Sequence, residues 1–448
     1  MTSRHDNRPH VHVAGVAGVG MSALAQALLD AGYRVSGSDR YIDQGQDLEI
    51  LQTLRLAGVE LVPQDGSGIK GDTTALAVST AIEKDNAELR AAQALQVPVV
   101  HRAAMLGRLT AGKRLLAVTG TAGKTTVTGL IGHICAAAGF DPVVVNGAIV
   151  TNWRAENRVG SVRSGAGDLM IIEADESDRS LMVFQPHFSV ITNISKDHFE
   201  LDEVVKLFRA FREQTRAWTV TGPQAGEVLD DVKAPALDLR GDGASRRLHI
   251  DGVDYPLPMP GRHNAENVWI AVQAARRLGI APDVMVRALS TFRGIHRRLE
   301  VVGHQNGITV LDDYAHNPAK IAASWSAAAE QGARVLGIWR PHGFGPLALM
   351  FDELAASFAR VARPQDRVCI LPVYYAGGTA QKTHDAERLA AVLAERGVAA
   401  EFITDYEMLR EKLKSSLRSG DVVLGMGARD PELPLFLKRL LKMDRHEV

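Results

Sequence analysis

The 448-residue chain has few cysteines, few aromatic residues, almost no net charge and no long apolar run. Its two cysteines, Cys135 and Cys369, exclude a disulfide framework and a zinc cluster, and they suit a reducing compartment. Lys and Arg (51) balance Asp and Glu (52), so we expect no global field that would attract nucleic acid or an anionic membrane. No window approaches the ~18 consecutive apolar residues of a membrane span, and the N-terminal MTSRHDNRPH lacks the apolar segment of a secretion signal. These absences predict a cytoplasmic protein that binds neither nucleic acid nor membrane.

Glycine is plentiful, with 41 residues, and strand-length apolar runs alternate with amphipathic helical stretches. This alternation is typical of βαβ units around a mostly parallel sheet, so we predict the α/β class. It occurs in three blocks, and at roughly 150 residues per domain the length also predicts about three domains. Short hinges near Gly112 and Gly294 place the domains at 1–111, 112–294 and 295–448. The stretch from about 220 to 243 is rich in Gly, Pro and Asp and is expected to form loop and short strands.

The segment Val118–Thr126, VTGTAGKTT, lies between an apolar strand and a helical stretch and has the pattern of a phosphate-binding loop. Gly120 and Gly123 allow backbone N–H groups to turn toward phosphate oxygens at a helix N-terminus. Lys124 is expected to reach the β- and γ-phosphates, and Thr125 to bind Mg²⁺. We therefore predict a nucleotide site in this segment.

Acidic and polar side chains follow the next two predicted strands. Four carboxylates come directly after an apolar strand, namely Glu173, Asp175, Glu176 and Asp178. An Mg²⁺ ion beside the phosphates would stabilise these charges, because Mg²⁺ takes oxygen ligands from carboxylates and phosphates. A solvated acidic loop is the alternative interpretation. His198, after the following strand, is either a metal ligand or a turn residue.

The N-terminal turn Gly15–Ser22 fits a dinucleotide-binding pattern only loosely, because its glycines stand at 15, 18 and 20. Asp39 follows the next strand, where a nucleotide ribose or base could donate a hydrogen bond to it. A dehydrogenase would have no use for the second and better phosphate loop, so we disfavour an oxidoreductase.

Three later segments carry polar groups that nucleotide sites use. Gly261–Asn267 opens a helix with amides that could contact an adenine edge, although a helix cap explains Asn264 equally well. Arg298 lies past the second hinge, where it could reach a nucleotide on domain closure or belong to a solvated charged turn. Asp312–Pro318 follows a strand, and a helix cap explains its acids as well as a ligand site does.

Taken in this order, these segments resemble the Mur ligase family, the ATP-dependent amide-bond-forming enzymes of peptidoglycan precursor synthesis. Gly37-Ser38-Asp39, Ser79–Ile82, His101–Leu106 and Thr192-Asn193 extend the resemblance over nearly the whole chain. It implies an N-terminal Rossmann-like domain for a UDP-sugar, a central P-loop ATPase domain and a C-terminal Rossmann-like domain that closes on ATP. It also implies ATP and Mg²⁺ as cofactors. The substrates would be UDP-N-acetylmuramate and an amino acid, with L-alanine expected, and the protein a monomer or weak homodimer.

The resemblance assigns roles to individual positions. The UDP-sugar would be held by Gly18, Gly20, Met21, Ser22, Ser38, Asp39, Ser79, Thr80 and Arg102. ATP would be held by Gly120, Thr121, Gly123, Lys124, Thr125, Thr126, His263, Asn264, Asn267, Arg298 and Asp313. The Mg²⁺ ligands would be Thr125, Glu173 and His198. The residues of catalysis would be Lys124, His198, Arg298 and His316, the last near the incoming amino acid.

The chain departs from the family pattern at Ala122 and Asn317, where histidines are usual, and in the segments 339–344 and 425–430. Since most of these departures fall in the third domain, the acceptor stays open among L-alanine, another amino acid and a preformed tripeptide. A non-catalytic nucleotide-binding relative is a further alternative, which the intact Lys124, Glu173 and Arg298 disfavour.

Overall fold

The computed structural model describes residues 7–195, 200–230, 232–241, 245–374, 385–428 and 430–440. Largely parallel sheets flanked by helices recur along the chain, which confirms the predicted α/β class. The packing separates two compact units. One comprises Met1–Asp238, Leu248–Pro258 and Glu266–Ile295, and the other comprises Leu239–Arg247, Met259–Ala265 and His296–Val448. No helix among the described residues is long and apolar enough to cross a membrane.

The first sheet has five parallel strands in the order β3-β2-β1-β4-β5. Its strands are β1 His10–Ala14, β2 Arg34–Ser38, β3 Glu60–Val62, β4 Thr73–Val78 and β5 Val99–His101. Its helices are α1 Val19–Asp30, α2 Arg40–Asp43, α3 Glu49–Ala57, α4 Ala87–Ala94 and α5 Arg102–Leu109. The strand order reverses between β1 and β4, and open α/β sheets bind ligands beyond the carboxyl ends of strands at such a point.

The second sheet has the order β11-β10-β6-β9-β7-β8 and is parallel except for β8, which pairs antiparallel with β7. Its strands are β6 Arg114–Thr119, β7 Val143–Val145, β8 Val162–Arg163, β9 Leu169–Glu173, β10 Phe188–Ile191 and β11 Trp218–Thr221. Helices α6 Lys124–Ala137, α7 Leu201–Glu213 and α8 Pro223–Asp230 accompany them. A single hydrophobic core joins Val11 of β1 and Met105 of α5 to Leu115 of β6 and Phe208 of α7.

Helix α8 corrects the expectation of loop and short strands between 220 and 243. Pro223 occupies the first helical position, where its missing N–H costs nothing. Ala225 is buried against the core that the two sheets share, and this packing stabilises a helix that the local sequence does not favour.

The chain then forms a three-stranded sheet of β12 Asp238–Arg240, β13 Arg247–Ile250 and β14 Val253–Pro256, followed by α9 Arg262–Arg277 and α10 Pro282–Thr291. The last sheet has the order β15-β16-β20-β17-β18-β19, with only β15 antiparallel. Its strands are β15 Glu300–Gln305, β16 Ile308–Asp313, β17 Arg334–Trp339, β18 Arg367–Ile370, β19 Ala400–Phe402 and β20 Asp421–Met426. Its helices are α11 Pro318–Ala329, α12 Phe344–Leu349, α13 Phe351–Val361, α14 Ala386–Glu395, α15 Tyr406–Ser416 and α16 Glu432–Leu440.

The last sheet has a core of its own, in which Phe358 meets the edges of Trp325 and Trp339 at ring-centroid distances of 6.0 and 5.8 Å. A Cβ on Gly337 would lie 2.1 Å from the Trp325 ring, so this strand needs a glycine there. The sheet is thereby fixed against its helices, and the ends of β16 and β17 acquire defined positions.

Candidate active site

The predicted phosphate loop connects β6 to α6, which confirms its strand–loop–helix setting. Gly120 has φ 129° and Gly123 has φ 81°, backbone conformations that side-chain-bearing residues rarely adopt. A Cβ on Gly120 would lie 2.1 Å from the Thr192 hydroxyl oxygen, and one on Gly123 would lie 2.5 Å from Asn267 Oδ1. The loop therefore closes tightly against its neighbours only because these two residues lack side chains.

Asn193, which follows β10, holds the loop from one side. Its Oδ1 accepts hydrogen bonds from the Ala122 N–H at 2.7 Å and from the Thr121 hydroxyl at 3.1 Å. Thr192 donates from its hydroxyl to the Ala122 carbonyl oxygen at 2.5 Å. His198, predicted to bind metal, lies outside the described residues.

Lys124 opens α6 and forms a buried ion pair. Its Nζ lies 2.6 Å from Glu176 Oε2 and donates to the Gly120 carbonyl oxygen at 2.8 Å. The two side chains of the pair are only 15% and 3% exposed. Burial disfavours the ammonium form, yet Glu176 and Glu173 together raise the pKa of Lys124. Lys124 is therefore a fixed positive charge at the mouth of the phosphate loop.

Thr125 and Glu173 form the candidate cation site. The Thr125 hydroxyl donates to Glu173 Oε1 at 3.1 Å, and the Gly147 N–H donates to Oε2 at 2.8 Å. No group of three or more His, Cys, Asp or Glu side chains that could hold a metal ion occurs among the described residues. A hydroxyl and a carboxylate beside a phosphate loop nevertheless fit Mg²⁺, which commonly takes one or two carboxylates and completes its shell with phosphates and water.

Asp39 ties the N-terminal glycine turn to the end of β2. One carboxylate oxygen accepts from the Ala17 N–H at 3.0 Å, and the other accepts from the Tyr41 N–H at 3.1 Å and caps α2. The neighbouring Ser38 hydroxyl is buried and has no hydrogen-bond partner among the residues that the structure describes. Buried hydroxyl groups normally have a hydrogen-bond partner, so the Ser38 hydroxyl fits a polar ligand in the crevice beyond the carboxyl ends of β1 and β2.

Arg102, the first residue of α5, lies directly against the same glycine turn. A Cβ on Gly20 would be 3.3 Å from the Arg102 side chain, so glycine leaves room for the guanidinium to approach. Met21 and Ser22 are buried in α1, and the Ser22 hydroxyl donates to the Val19 carbonyl. Ser79 and Thr80 come directly after β4, the strand beside β1.

The acidic loop after β9 connects this crevice to the phosphate loop. Asp178 Oδ2 lies 3.6 Å from His101 Nε2, at the start of α5. Burial works against the Asp175 carboxylate, but Lys124 and the Ser177 N–H lower its pKa. One acidic loop thus faces Lys124 at one end and α5 at the other.

The predicted adenine-binding residues begin α9. Asn264 lies within the first helical turn rather than at the cap, and its Nδ2 donates to the Pro260 carbonyl oxygen at 2.8 Å. Burial lowers the pKa of His263. Asn267 is the residue that faces Gly123.

The adjacent arginines before β15 have different surroundings. Both guanidinium groups lie over the Tyr314 ring, Arg297 at 5.3 Å and Arg298 at 5.5 Å from its centre, but Arg297 also contacts Asp312 at 3.3 Å and donates to the carbonyl oxygens of Gly427 and Ala428. Burial raises the pKa of Asp312 to about 6 despite the nearby Arg297. Asp313 accepts backbone N–H bonds at 2.7 Å on each carboxylate oxygen, from Leu299 and Ala315.

His316 stands beyond β16 and carries its proton on a defined nitrogen. Its Nδ1 lies 3.0 Å from the Tyr314 carbonyl oxygen, which can only accept, so Nδ1 donates and the lone pair is on Nε2. Burial lowers the pKa of His316 to about 4. The His342 ring lies 5.0 Å away, and Asn317 caps α11 by accepting from the Lys320 N–H.

Three family models match successive parts of the chain. They are the Mur ligase catalytic domain over 10–114, the Mur ligase middle domain over 118–213 and the Mur ligase glutamate ligase domain over 297–429. A UDP-N-acetylmuramate–L-alanine ligase of Rhizobium etli is 33% identical over 93% of this chain and 93% of its own length. The chain belongs to the Mur ligase family. It is an ATP-dependent, amide-bond-forming ligase of peptidoglycan precursor synthesis, and the predicted three-domain α/β fold is confirmed.

Two solved structures show how far this Mur ligase fold extends. UDP-N-acetylmuramate–alanine ligase of Thermotoga maritima has a TM-score of 0.79 at 26% identity and covers 98% of this chain and 99% of its own. A murein peptide ligase of Psychrobacter arcticus has a TM-score of 0.65 at 20% identity, covering 97% and 98%, and shows the fold alone. The common fold therefore spans nearly the whole chain.

In this Mur ligase the middle domain contains the phosphate loop, so ATP is its nucleotide. Sequence reasoning missed three residues that shape the site. Glu176 was included only as one of four carboxylates, Asn193 only as part of a resembling segment, and Gly147 not at all. The position of Glu176 and Asn193 just after strand ends was the available indication.

Proposed function

We propose that this Mur ligase joins the carboxylate of UDP-N-acetylmuramate to the amino group of L-alanine through an acyl phosphate. The observation that carries the proposal is the acidic loop after β9, which links the Lys124 phosphate loop to the Arg102 and Gly20 crevice. The whole-length similarity to the Rhizobium etli ligase supports these two substrates. Because the reaction consumes ATP, we place it in the cytoplasm.

In the first step the carboxylate oxygen of the sugar nucleotide attacks the γ-phosphorus of ATP. The bond to the β-phosphate oxygen breaks, ADP leaves, and an acyl phosphate is formed, which gives the carboxyl carbon a good leaving group. Lys124 and the loop amides neutralise charge on the transferring phosphoryl group. Bound at Thr125 and Glu173, with His198 as a further proposed ligand, Mg²⁺ would add positive charge at the phosphates.

In the second step the amine attacks the acyl carbon, the amide bond forms and phosphate leaves. The nitrogen loses a proton as the amide bond forms. His316, neutral with a pKa of about 4, acts here as a hydrogen-bond acceptor for the amine through its Nε2 lone pair rather than as a strong base. We propose that Arg298 neutralises charge at the γ-phosphate and that Asp313 binds the ATP ribose. Adenine would be bound by His263, Asn264 and Asn267.

The identity of the acceptor is the least narrowly defined part of this function. Asn317 caps α11 where the family usually has a histidine, so the acceptor side of the site has lost one imidazole. This observation favours a second candidate, a Mur-type ligase that takes another amino acid or a preformed tripeptide.

The proposal is tested by phosphate release with mass identification of the product, using UDP-N-acetylmuramate and ATP with L-alanine, glycine, L-serine or tripeptide. We expect L-alanine to give the highest kcat/KM. The Lys124→Ala variant should remain folded with lower stability, because Glu176 loses its partner, and it should lose activity by at least about 10²–10³-fold, the effect of removing one charge-stabilising group. Retained turnover in that variant would contradict the assignment, and preference for the tripeptide would select the second candidate.

A further inference from the structure

The Glu173 carboxylate is held on both oxygens by two distant segments. The Thr125 hydroxyl of α6 binds Oε1, and the Gly147 N–H, in the loop after β7, binds Oε2. Strand β7 runs parallel beside β9, with Val145 opposite Ile172, so the two strand ends lie side by side. The carboxylate therefore cannot rotate without breaking one of its two hydrogen bonds.

The loop after β7 is itself fixed. The Asn146 N–H donates to the Ser161 carbonyl oxygen at 2.8 Å, and Asn146 Oδ1 also accepts from the Gly147 N–H at 3.1 Å. Asn146 is only 2% exposed. Gly147, although itself exposed, is thus held in place by its buried and hydrogen-bonded neighbour Asn146.

A side chain at position 147 would occupy the place of the carboxylate. A Cβ on Gly147 would lie 2.4 Å from Glu173 Oε2 and 2.6 Å from both Cδ and Oε1, all closer than real Cβ contacts. Gly147 is not among the residues with positive φ, so its backbone conformation is open to alanine. Close approach of the carboxylate, and not the backbone torsion, is what requires glycine here.

We propose that Gly147 is a positioning residue for the cation site: its amide and its missing side chain keep Glu173 against Thr125. The inference rests on the proposed function only in taking Glu173 as an Mg²⁺ ligand. A carboxylate already fixed beside Thr125 loses little freedom when a cation binds, so the site binds Mg²⁺ more tightly than a free side chain would.

The test uses the full chain with Gly147→Ala and a fluorescent ADP analogue, titrated with Mg²⁺. We expect the Mg²⁺ concentration for half-maximal nucleotide binding to rise about 10- to 100-fold, the usual effect of losing a group that orients a metal ligand. The matched control is Gly71→Ala, because nothing lies within 4 Å of a Cβ there and its φ is not positive. This control should titrate like the parent protein.

A Glu173→Ala background separates positioning from a general structural role. If Gly147 acts through Glu173, adding Gly147→Ala to Glu173→Ala changes neither Mg²⁺ dependence nor the unfolding midpoint further. A Gly147→Ala protein that folds only in that background would also support the clash with the carboxylate.

Two results would overturn the inference and leave the proposed function standing. One is an unchanged Mg²⁺ dependence in Gly147→Ala, and the other is an equal loss in both backgrounds. ADP binding by the parent protein without any dependence on Mg²⁺ would also overturn the inference, because Glu173 would then not be an Mg²⁺ ligand, whereas the proposed function is decided by the phosphate-release assay.

Discussion

Replacing Glu176 with Gln should tighten nucleotide binding while it destabilises the nucleotide-free protein. In the described structure Glu176 occupies the ammonium group of Lys124 at 2.6 Å, where a phosphate oxygen would otherwise bind. Incoming phosphates must therefore compete with a carboxylate that also repels them. Gln keeps the shape and one acceptor oxygen of Glu176 but removes its charge.

The size of the effect follows from the burial of the pair. Removing one member of a buried ion pair costs about 3–5 kcal/mol. Gln retains a hydrogen-bond acceptor, and Glu173 and Asp175 still act on Lys124, so we expect a loss of about 1–3 kcal/mol in the free protein. Bound phosphates would restore the missing counter-charge, so about 1–2 kcal/mol of this loss should appear as a 5- to 30-fold tighter binding of ADP.

Calorimetric titration with ADP and Mg²⁺, together with urea unfolding of the nucleotide-free protein, measures both quantities. Asp178→Asn is the matched control, because Asp178 lies in the same loop but faces His101 at 3.6 Å. Its ADP affinity should equal that of the parent protein. Unchanged or weaker ADP binding by Glu176→Gln would refute the idea that Glu176 competes with phosphate for Lys124.

Four further predictions concern the last sheet and the phosphate loop. Arg297→Ala should cost about 3 kcal/mol in urea unfolding, because Asp312 is left buried without its partner. Arg298→Ala should unfold like the parent protein yet lose about 10²-fold or more in phosphate release, and a reversed pattern would exchange the two roles. The folded pKa of His316, about 4, is below its unfolded value of about 6.5, so stability falls as pH drops from 6.5 toward 4. Between pH 7 and 5 the parent should lose up to about 2 kcal/mol more than His316→Asn by urea unfolding, and equal losses would count against this. Asn193→Ala should lower stability by about 1–2 kcal/mol and weaken ADP binding in the same titration, since the loop loses two hydrogen bonds.

The sequence predicts a part of the site where one short segment contains both the backbone turn and the side chains that bind the ligand. The phosphate loop is such a segment, because its glycines, its lysine and its helix start are consecutive. Asp39 is another, since its place after β2 follows from the strand pattern alone.

The rest depends on which distant groups the fold brings together. Glu173 ends β9 and three more carboxylates follow it, and only the path of their loop decides that Glu176 meets Lys124. Gly147 became significant because β7 is the neighbour of β9, a pairing that periodicity does not contain. Arg297 and Arg298 make different contacts because the backbone at Arg297 is left-handed, with φ 56°. Residue type alone would not predict this conformation.

At helix α8 the prediction of loop and short strands, which rested on composition, is wrong. Gly226 lowers intrinsic helix propensity, and Pro223 usually marks a turn, so the segment lacks a helical pattern. Burial of Ala225 and the first-turn position of the proline decide the outcome instead.

The hydrophobic core that the first two sheets share has a consequence for how this enzyme can be rebuilt. Helix α1 contacts β7 and β8, and the Asp30 carboxylate at its end lies 2.6 Å from the Arg158 guanidinium. Residues 1–111 therefore cannot be exchanged as an independent unit, because their removal would expose buried apolar side chains of the ATP-binding sheet. In native-state hydrogen exchange the amides of both sheets should open as one cooperative unit, and ADP bound at one sheet should slow exchange in the other. A chimera with a relative would need its junction beyond residue 295, where the second compact unit begins its longest segment.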